Sequence, residues 1–361
     1  MATKRVAIIE GDDAAPEAVR PTVDLLRSMG LDLELTRVPT GVEAQERLGS
    51  GFPEESRRTV DASDAVLFGA TSGASAGALF YLRWGKRTFA NVRPVRWSPG
   101  FASPLARPEG IDMAIVRENL EDLYMGLEGD LGDLAPLNLV APLLRRPLAE
   151  LGPGRFAIKV ITEEGTARVA RFACELALAR QRRGRPGKVT CGTKHNMLFR
   201  SDGLFRQVVT DVVGGYPSLQ FESFIVDDLA RRLVADPQSF DVVVLPNLYG
   251  DILSDETAGL VGGLGLAPSG CYGEGFAYFE SVHGSAPDIA GKHIINPTAT
   301  ILSAAMMLEY LGFDGEGARL EAAVRRVYEA GAPLTPDQGG RATSEEFCEA
   351  VRASMQAEAG G

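Results

Sequence analysis

The chain has 361 residues, 45% of them hydrophobic and 24% charged, and its formal net charge at pH 7 is -11. This length exceeds what one hydrophobic core usually organises, so two domains are expected. The acidic balance, with no Lys- or Arg-rich block to offset it, argues against nucleic acid as a partner but is compatible with a local arginine cluster that binds a small anion.

Short apolar runs alternate with segments of helical periodicity, which is the pattern of an α/β fold. The predicted strands are Arg5–Ile9, Leu31–Val38, Ala65–Gly69, Met113–Arg117, Phe156–Ile161, Lys188–Thr193 and Asp241–Leu245. The predicted helices are Pro16–Met29, Glu163–Gln181, Ser201–Val213 with Ser201 as its cap, Asp228–Val234, Pro297–Leu311 and Ala318–Ala330, which ends at Gly331.

Two segments interrupt this alternation. The Pro- and Ser-rich stretch from Arg96 to Pro108 is expected to cross between domains. The Leu- and Pro-rich stretch from Gly129 to Pro153 is either an arm that packs on a partner subunit or a long loop. The Gly-rich fingerprint of the Rossmann dinucleotide fold is absent, because its nearest match, Gly152–Ala157, precedes a strand instead of opening a helix.

The location of the protein is predicted from its N-terminus and its cysteines. The first residues enter a predicted strand at once, and no apolar window approaches the length of a membrane span. The chain has only three histidines, which argues against a histidine-based zinc site. Its four cysteines form no CxxC pair and are expected to be reduced and mostly buried, namely Cys174, Cys191, Cys271 and Cys348. We therefore expect a cytoplasmic protein without a membrane partner.

The segment from Asn247 to Asp255 follows an apolar run that is typical of a buried strand. If Asp251 opens a helix, Asp255 lies one turn further on the same face. Two such carboxylates suit a divalent cation such as Mg2+ or Mn2+. The alternative is that Asp251 caps the helix and Asp255 is solvated. Asp227 and its neighbour Asp228 begin another helix, where one is expected to be a cap and the other is a candidate third metal carboxylate.

Arginines at three places form a second group of candidates. Arg83, Arg93 and Arg117 have planar guanidinium groups that suit bidentate binding of a dicarboxylate, whereas the alternative for each is ordinary surface ion pairing. Tyr124 is either a proton donor beside this group or a packing residue. Lys194 ends a strand, where it either faces a ligand crevice as a base of lowered pKa or is solvated.

A turn-rich loop near the C-terminal third is the last candidate. Its small residues permit close approach of a ligand to the backbone, and an acidic side chain there can accept a hydrogen bond from a ribose hydroxyl. The residues are His283, Gly284, Ser285, Ala286, Pro287, Asp288 and Ile289, followed by Asn296.

These motifs, in this order, resemble those of the isocitrate/isopropylmalate dehydrogenase family of β-decarboxylating dehydrogenases. The resemblance extends from Ile9–Asp12 to Glu309–Gly312, and the segments around Asp251 and His283 are its most specific parts. It implies a two-domain α/β fold that is not the Rossmann fold. The large cofactor-binding domain would combine residues 1–98 and 256–361, and the small domain would be 99–255, with a dimer-interface arm at about 129–153.

The resemblance also implies a role for each candidate. Asp251 and Asp255 match the metal ligands of one subunit, while Asp227 and Lys194 match groups donated across a homodimer interface. Tyr124 matches the acid that protonates the product enol. The three arginines match the substrate clamp, and the loop from His283 to Ile289 with Asn296 matches the adenosine site. Asp288-Ile289 is similar to the version that binds NAD.

The implied reaction is the oxidative β-decarboxylation of a (2R)-malate-type acid to a 2-oxo acid and CO2, with NAD and Mg2+ or Mn2+. Isocitrate, homoisocitrate and D-malate or tartrate are the candidate substrates, because Gly77 and Leu79 replace the residues that in isopropylmalate enzymes include a Glu. Lys86, Arg87 and Arg96 are either solvated or serve a further anionic C3 group such as a phosphonate. The alternative function is a non-catalytic regulatory subunit, against which the retained Tyr124, Lys194 and aspartates argue.

Overall fold

A computed structural model describes residues 3–359. The strands are β1 (Lys4–Ile9), β2 (Leu33–Arg37), β3 (Ala65–Phe68), β4 (Ala90–Arg96), β5 (Asp112–Glu118), β6 (Glu128–Asp130), β7 (Val140–Ala141), β8 (Arg146–Pro147), β9 (Arg155–Ala157), β10 (Lys188–Thr193), β11 (Gln220–Ile225), β12 (Val242–Leu245), β13 (Pro268–Tyr272) and β14 (Ala277–Ser281). The α-helices are α1 (Ala15–Ser28), α2 (Gly41–Leu48), α3 (Glu54–Asp61), α4 (Ala76–Phe80), α5 (Glu163–Arg182), α6 (Ser201–Gly214), α7 (Val226–Ala235), α8 (Asn247–Leu260), α9 (Thr298–Tyr310), α10 (Asp314–Ala330) and α11 (Ser344–Ala359).

One ten-stranded sheet runs through the molecule in the order β11-β10-β12-β5-β4-β13-β14-β3-β1-β2. Strands β2, β1, β3 and β14 are parallel at one end, and β5, β12, β10 and β11 are parallel at the other. The antiparallel strands β4 and β13 join the two ends. This mixed sheet with helices confirms the predicted α/β class and differs from the Rossmann arrangement.

The inner strands β1 and β12 are covered on both faces. In β1, Val6 and Ile8 pack with α1, α9, α10 and α11, while Ala7 and Ile9 pack in a different cluster. In β12, Val242 and Val244 pack with α5 and α6, while Val243 and Leu245 pack with α7 and α8. Strands buried on both faces need apolar residues at every position, which is why these runs were predictable. The division into domains at residues 98 and 255 stays a prediction.

Several local predictions were wrong. Strand β9 covers only part of Phe156–Ile161, and it pairs with β6 in a separate two-stranded ribbon. Ser201 does not cap α6, whose N-cap position is Arg200 without a side-chain cap bond. Strand β4 was missed because Pro94 interrupts its pattern. The proline is tolerated there, because β13 pairs only with residues 90–92 and Pro94 therefore has no strand partner on that side.

The segment from Gly129 to Pro153 contains short structured pieces, with 3-10 turns at Leu131–Leu137 and Leu148–Glu150 and the small ribbon of β7 and β8. All four cysteines are free and buried, as predicted. Within residues 3–359, every helix is too short or too polar to serve as a transmembrane span.

The four parallel strands β5, β12, β10 and β11 place the candidate residues at one edge of the sheet. Arg117 is the penultimate residue of β5, and Asn247, which begins α8, is separated from the end of β12 by one residue. Lys194 follows β10, and Asp227 follows β11. Because these strands run in the same direction, their carboxyl ends form the crevice in which α/β proteins usually bind ligands.

Candidate active site

Helix α8 begins at Asn247, earlier than the sequence pattern indicated. Asp251 therefore lies in the second turn and does not cap the helix, so the alternative role as a cap is excluded by its position. Asp255 lies one turn further, as predicted. Asp227 and Asp228 likewise lie inside α7, whose N-cap is Ile225, and Asp228 pairs with Arg231 and Arg232.

Arg117 is almost completely buried, with 3% of its surface exposed. Its Nε donates to Asn247 Oδ1 at 2.8 Å, and its Nη1 donates to Asp251 Oδ1. Burial and the neighbouring guanidinium of Arg83 lower the pKa of Arg117 to about 10, while Asp251 opposes that shift. Gly250 lets α8 approach β5 here, because a Cβ at this position would lie 2.7 Å from Cβ and Cγ of Arg117.

The other two arginines reach the same place from different elements. Arg83 is in a π-helical turn, Tyr81–Gly85, and its Nη2 donates to Asn247 Oδ1 at 3.0 Å. Arg93 is on β4, and its Nη1 donates to Asp255 Oδ1 and to Ser254 Oγ, both at 2.7 Å. The structure therefore brings the three predicted clamp arginines together at the start of α8.

Tyr124 lies against this cluster. Its hydroxyl donates to Asp251 Oδ2 at 2.6 Å, and the guanidinium carbons of Arg117 and Arg83 lie 5.1 and 5.4 Å from its ring centre. Burial and the Asp251 carboxylate raise the pKa of Tyr124, so its hydroxyl stays protonated near neutral pH. The phenol is thus a hydrogen-bond donor that points into the cluster.

The two aspartates of α8 differ in their proton affinity. Burial favours the neutral form of Asp251, but Arg117, Tyr124 and Arg93 outweigh it and hold the pKa of Asp251 below its usual value. Burial, with a contribution from Asp251, raises the pKa of Asp255 even though Arg93 opposes the shift. Two close carboxylates that repel each other suit a shared cation.

Lys194 and Asp227 form a second group. Lys194 Nζ donates to Asp227 Oδ1, and the side chains are 31% and 60% exposed. The hydrogen bond to Lys194 lowers the pKa of Asp227. Within residues 3–359, no three His, Cys, Asp or Glu side chains of one chain gather closely enough to hold a metal ion. Asp227 therefore does not join Asp251 and Asp255 inside a single protomer.

Two adjoining cavities connect the predicted substrate and cofactor residues. The first has a volume of about 220 Å3 and is lined by Arg83, Arg93, Arg117, Tyr124, Asp251 and Leu79, among others. The second has a volume of about 350 Å3 and is lined by Gly265, Ala286, Ile289, Ile295, Asn296 and Asp337, among others. His283 and Gly284 line both cavities. A larger cavity of about 580 Å3 contacts none of the predicted site residues.

The second cavity has a buried polar atom without a hydrogen-bond partner in its wall. The Nε2 atom of His283 is buried without a hydrogen-bond partner, while its Nδ1 lies 2.9 Å from Gly284 O. Asn296 donates to Asp337 Oδ2 at 2.9 Å, and Asp288 lies exposed in the 3-10 turn Pro287–Ile289. An unpaired ring nitrogen beside apolar walls is compatible with a purine base. Of the predicted loop, Ser285, Pro287 and Asp288 are not among the residues that line this cavity.

Sequence reasoning missed several residues of this site. Asn247 is fully buried and accepts hydrogen bonds from two clamp arginines, Ser254 accepts from Arg93, and Glu280 lines the first cavity. Asn, Ser and Glu are common residues that carry no signal of their own. The only sequence signal for Asn247 and Ser254 was their closeness to Asp251, and Glu280 had none. Of the three extra cations, Lys86 pairs with Asp61 and Arg96 with Glu321, both at 3.0 Å, so neither is free to serve the clamp.

Comparison with known proteins identifies the family. The profile of the isocitrate/isopropylmalate dehydrogenases matches residues 5–351. A 3-isopropylmalate/3-methylmalate dehydrogenase of Methanocaldococcus jannaschii is 42% identical over 98% of this chain and 99% of its own length. An isocitrate/homoisocitrate dehydrogenase of Thermus thermophilus is 44% identical over 96% of this chain and 97% of its own.

Solved structures agree with the fold. An isocitrate dehydrogenase from Methylococcus capsulatus superposes with a TM-score of 0.83 at 33% identity, covering 98% of this chain and 99% of that chain. A Thermus thermophilus protein, TT0538, gives a TM-score of 0.85 at 37% identity, covering 97% of this chain and 68% of that one. The chain belongs to the isocitrate/isopropylmalate dehydrogenase family, as its motifs indicated.

Proposed function

We propose that this protein is an NAD- and divalent-metal-dependent enzyme that oxidatively decarboxylates a (2R)-malate-type 2-hydroxy acid. Family membership supports the reaction class, a decarboxylating dehydrogenase of hydroxy acids. The observation that supports the assignment most directly is the convergence of three arginines, Asp251 and a protonated tyrosine on one cavity, which adjoins a second cavity lined by His283 and Asn296.

The arginines are suited to bind the two carboxylates of a malate core. Arg83 and Arg117 share Asn247 Oδ1 as an acceptor, which holds their two guanidinium planes in a fixed relation. Arg93 approaches from the neighbouring strand β4 and contacts Asp255. Planar donors held in advance lose little entropy when they bind a carboxylate.

The carboxylates of Asp251 and Asp255 would hold the divalent cation, completed by Asp227 of the partner subunit. Such a cation would supply Lewis acidity toward the 2-hydroxyl and, after oxidation, the carbonyl oxygen. Lys194 is the base that removes the hydroxyl proton, and the hydroxyl of Tyr124 returns a proton to the enol carbon after CO2 leaves. The arginines keep the leaving carboxylate and the reacting carbon in place during both steps.

NAD would occupy the second cavity and accept the hydride. His283 Nε2 is available to the adenine, and Asp288 is available to a ribose hydroxyl. A carboxylate at that position repels a 2′-phosphate, which favours NAD over NADP. The comparisons fit either nucleotide, so the preference for NAD rests on Asp288-Ile289.

A homodimer with shared active sites explains why Lys194 and Asp227 pair apart from Asp251. Large exposed apolar side chains are concentrated in the arm predicted at about 129–153, where Leu137, Val140, Leu143 and Leu144 are 56–87% exposed. Phe199, near Lys194, is 74% exposed. Such apolar surface marks a protein interface, so we expect a second copy to cover it and to bring its Lys194 and Asp227 to the metal.

Two features of the structure bear on the group at C3 of the substrate. Leu79 gives the first cavity an apolar wall, and Lys86 and Arg96 are paired elsewhere, which weakens the case for an anionic C3 group such as a phosphonate. The relatives include enzymes named for isopropylmalate and for isocitrate or homoisocitrate at similar identity. An apolar wall by itself would also accept an isopropyl group, so the hypothesis that isopropylmalate is not the preferred substrate rests on Gly77 and Leu79, which stand where isopropylmalate enzymes include a Glu.

A substrate panel tests the function. The purified protein is assayed with NAD and Mn2+ against D-malate, tartrate, isocitrate, homoisocitrate, isopropylmalate and a phosphonomethyl analogue, with NADH and CO2 measured together. Equal yields of NADH and CO2 from one of the first four acids would support the proposal. NADH without CO2 would contradict the decarboxylation, and highest kcat/KM with isopropylmalate would contradict the substrate hypothesis.

Complementation tests the shared site. Tyr124→Phe and Lys194→Ala are expected to be nearly inactive alone, because each dimer lacks one required group in both sites. After mixing, unfolding and refolding together, roughly a quarter of the wild-type activity should return, since half of the random dimers are mixed and each has one intact site. No recovery from variants that refold as dimers would show that the sites are not shared.

A further inference from the structure

A buried ionic cluster lies behind the candidate active site. The Nζ of Lys159 is 2.7 Å from Asp202 Oδ1 and 3.4 Å from Asp122 Oδ1. Both aspartates are completely buried, and Lys159 has 13% of its side chain exposed. The same ammonium lies 4.4 Å from the centre of the Tyr249 ring. Two buried carboxylates that share one cation are costly to desolvate, so the arrangement calls for a reason beyond stability.

Each aspartate uses its second oxygen to bind the backbone of a different site segment. Asp202 Oδ2 accepts a hydrogen bond from the backbone N of Lys194 at 2.6 Å. Asp122 Oδ2 accepts one from the backbone N of Leu248 at 3.0 Å, in the first turn of α8. Asn247, which orients two clamp arginines, is the residue just before Leu248. Lys159 thus connects the base Lys194 with the beginning of the helix that bears Asp251.

The backbone of Asp122 supports the same connection. Its φ of 69° and ψ of -145° belong to a region that residues other than glycine rarely adopt. Its N–H donates to Val160 O at 2.8 Å, next to Lys159. Such a conformation persists only where several contacts enforce it. Because Tyr124 follows two residues later, the strained turn determines where the proton-donating phenol enters the site.

We propose that Lys159 is a positioning residue, whose ammonium holds Asp122 and Asp202 together. It thereby fixes two groups relative to α8, namely Tyr124, which acts in the site of its own protomer, and Lys194, which acts in the site of the partner subunit. The proposal rests on the proposed function for the roles of Lys194 and Tyr124. It assigns no contact between Lys159 and the substrate. Lys159 acts indirectly, through two carboxylates that each accept a hydrogen bond from one backbone amide.

Hydrogen exchange tests the cluster without relying on activity. In Lys159→Met, the amides of the segments 119–126, 194–203 and 247–250 are expected to exchange faster than in the wild type, while those of α10 and α11 stay protected. Lys159→Arg retains a cation and is expected to restore protection. Lys188→Met is a matched control, because Lys188 is 16% exposed, pairs with Glu222 at 2.9 Å and starts β10 at the end away from the site.

Kinetics then separate positioning from stability. For the best acid of the panel, or for D-malate, we expect Lys159→Met to lower kcat by roughly 10–10²-fold with the substrate KM within about threefold. The isotope effect on kcat with substrate deuterated at C2 should rise, because a misplaced Lys194 slows the oxidation step. Partial unfolding lowers the concentration of active enzyme but changes neither the isotope effect nor KM.

Asp202→Asn provides a second variant should Lys159→Met not fold. The NH2 group of the new Asn would face either the N–H of Lys194 or the ammonium of Lys159, and a donor facing a donor removes one of the two contacts. Asp122 would still neutralise Lys159. We therefore expect the same changes in hydrogen exchange and kcat as in Lys159→Met. Unchanged hydrogen exchange in the three segments would overturn the proposal. So would faster exchange throughout the protein together with an unchanged isotope effect on kcat. A wild type that converts no acid in the panel would refute the proposed function, and the exchange data would still decide whether Lys159 holds these segments.

Discussion

Replacing Gly250 with alanine is expected to displace Arg117 and to weaken substrate binding. A Cβ at this position would lie 2.7 Å from Cβ and Cγ of Arg117 and 3.1 Å from its Cα. These atoms belong to the stem of a buried side chain on β5, so the clash cannot be relieved by a rotation at the far end of the side chain. The helix or the strand must move, and the guanidinium moves with it.

Two effects on stability oppose each other in this variant. Alanine in place of glycine inside a helix stabilises by about 0.8–1.0 kcal/mol, whereas overpacking a buried contact costs about 1–3 kcal/mol. The net change in the free energy of unfolding is therefore a loss of up to about 2 kcal/mol. For activity, a shift of about 1 Å in a clamp guanidinium lowers kcat/KM by roughly 10²-fold, mostly through the KM of the hydroxy acid.

Gly259→Ala is the matched control in the same helix. A Cβ there meets no atom within 4 Å, so only the helix propensity changes. We expect Gly259→Ala to stabilise the protein by about 0.5–1 kcal/mol with unchanged KM. Steady-state kinetics and urea unfolding of both variants measure these effects. If Gly250→Ala behaved like Gly259→Ala in both measurements, the close packing of Arg117 on α8 would have no functional consequence.

Two further predictions concern the site, and a third concerns Glu118, a buried carboxyl at the end of β5. Tyr124→Phe is expected to lower the decarboxylating rate by roughly 10²–10⁴-fold, because the proton donor to the enol is lost, and an unchanged rate of CO2 release would remove Tyr124 from the reaction. Chelation with EDTA is expected to abolish NADH formation until Mg2+ or Mn2+ is restored, whereas full activity after exhaustive chelation would contradict the role of Asp251 and Asp255. Burial raises the pKa of Glu118 to about 7 from 4.5, so the folded protein keeps a proton that the unfolded chain releases and stability falls as pH rises through that interval. Glu118→Gln should flatten this decline in Tm, and equal slopes for the two proteins would show that Glu118 is not its source.

The elements that the sequence predicted well are those with a strong local signal. Strand β10 has the predicted bounds, and α10 ends at Gly331 in the left-handed conformation that glycine favours at a helix end. Strands β13 and β14 were missed, since Pro268 and Gly270 interrupt the apolar pattern of the first and Glu280 interrupts that of the second. They form only because neighbouring strands supply hydrogen bonds on both sides.

In the site, too, residues with a local sequence signal were predicted and contacts between distant segments were not. The motif residues Arg83, Arg93, Arg117, Tyr124 and Asp251 were identifiable from their types, their order and their similarity to a family, and the structure brings them together. The helix start at Asn247 was placed wrongly, because no N-cap side chain marks it. The pairing of Lys194 with Asp227 was not foreseen, since it depends on β10 and β11 being neighbours in the sheet.

The sequence by itself determined the α/β class, the buried thiols, the family and the chemical groups available for the reaction, because each depends on residue type or on local periodicity. Only the tertiary structure decided which groups share a partner. Asn247 lies 164 residues from Arg83 and 130 from Arg117, and Lys159 meets Asp122 and Asp202 from a separate segment. Such contacts follow from strand order and helix packing, which no pattern within a short stretch of chain specifies.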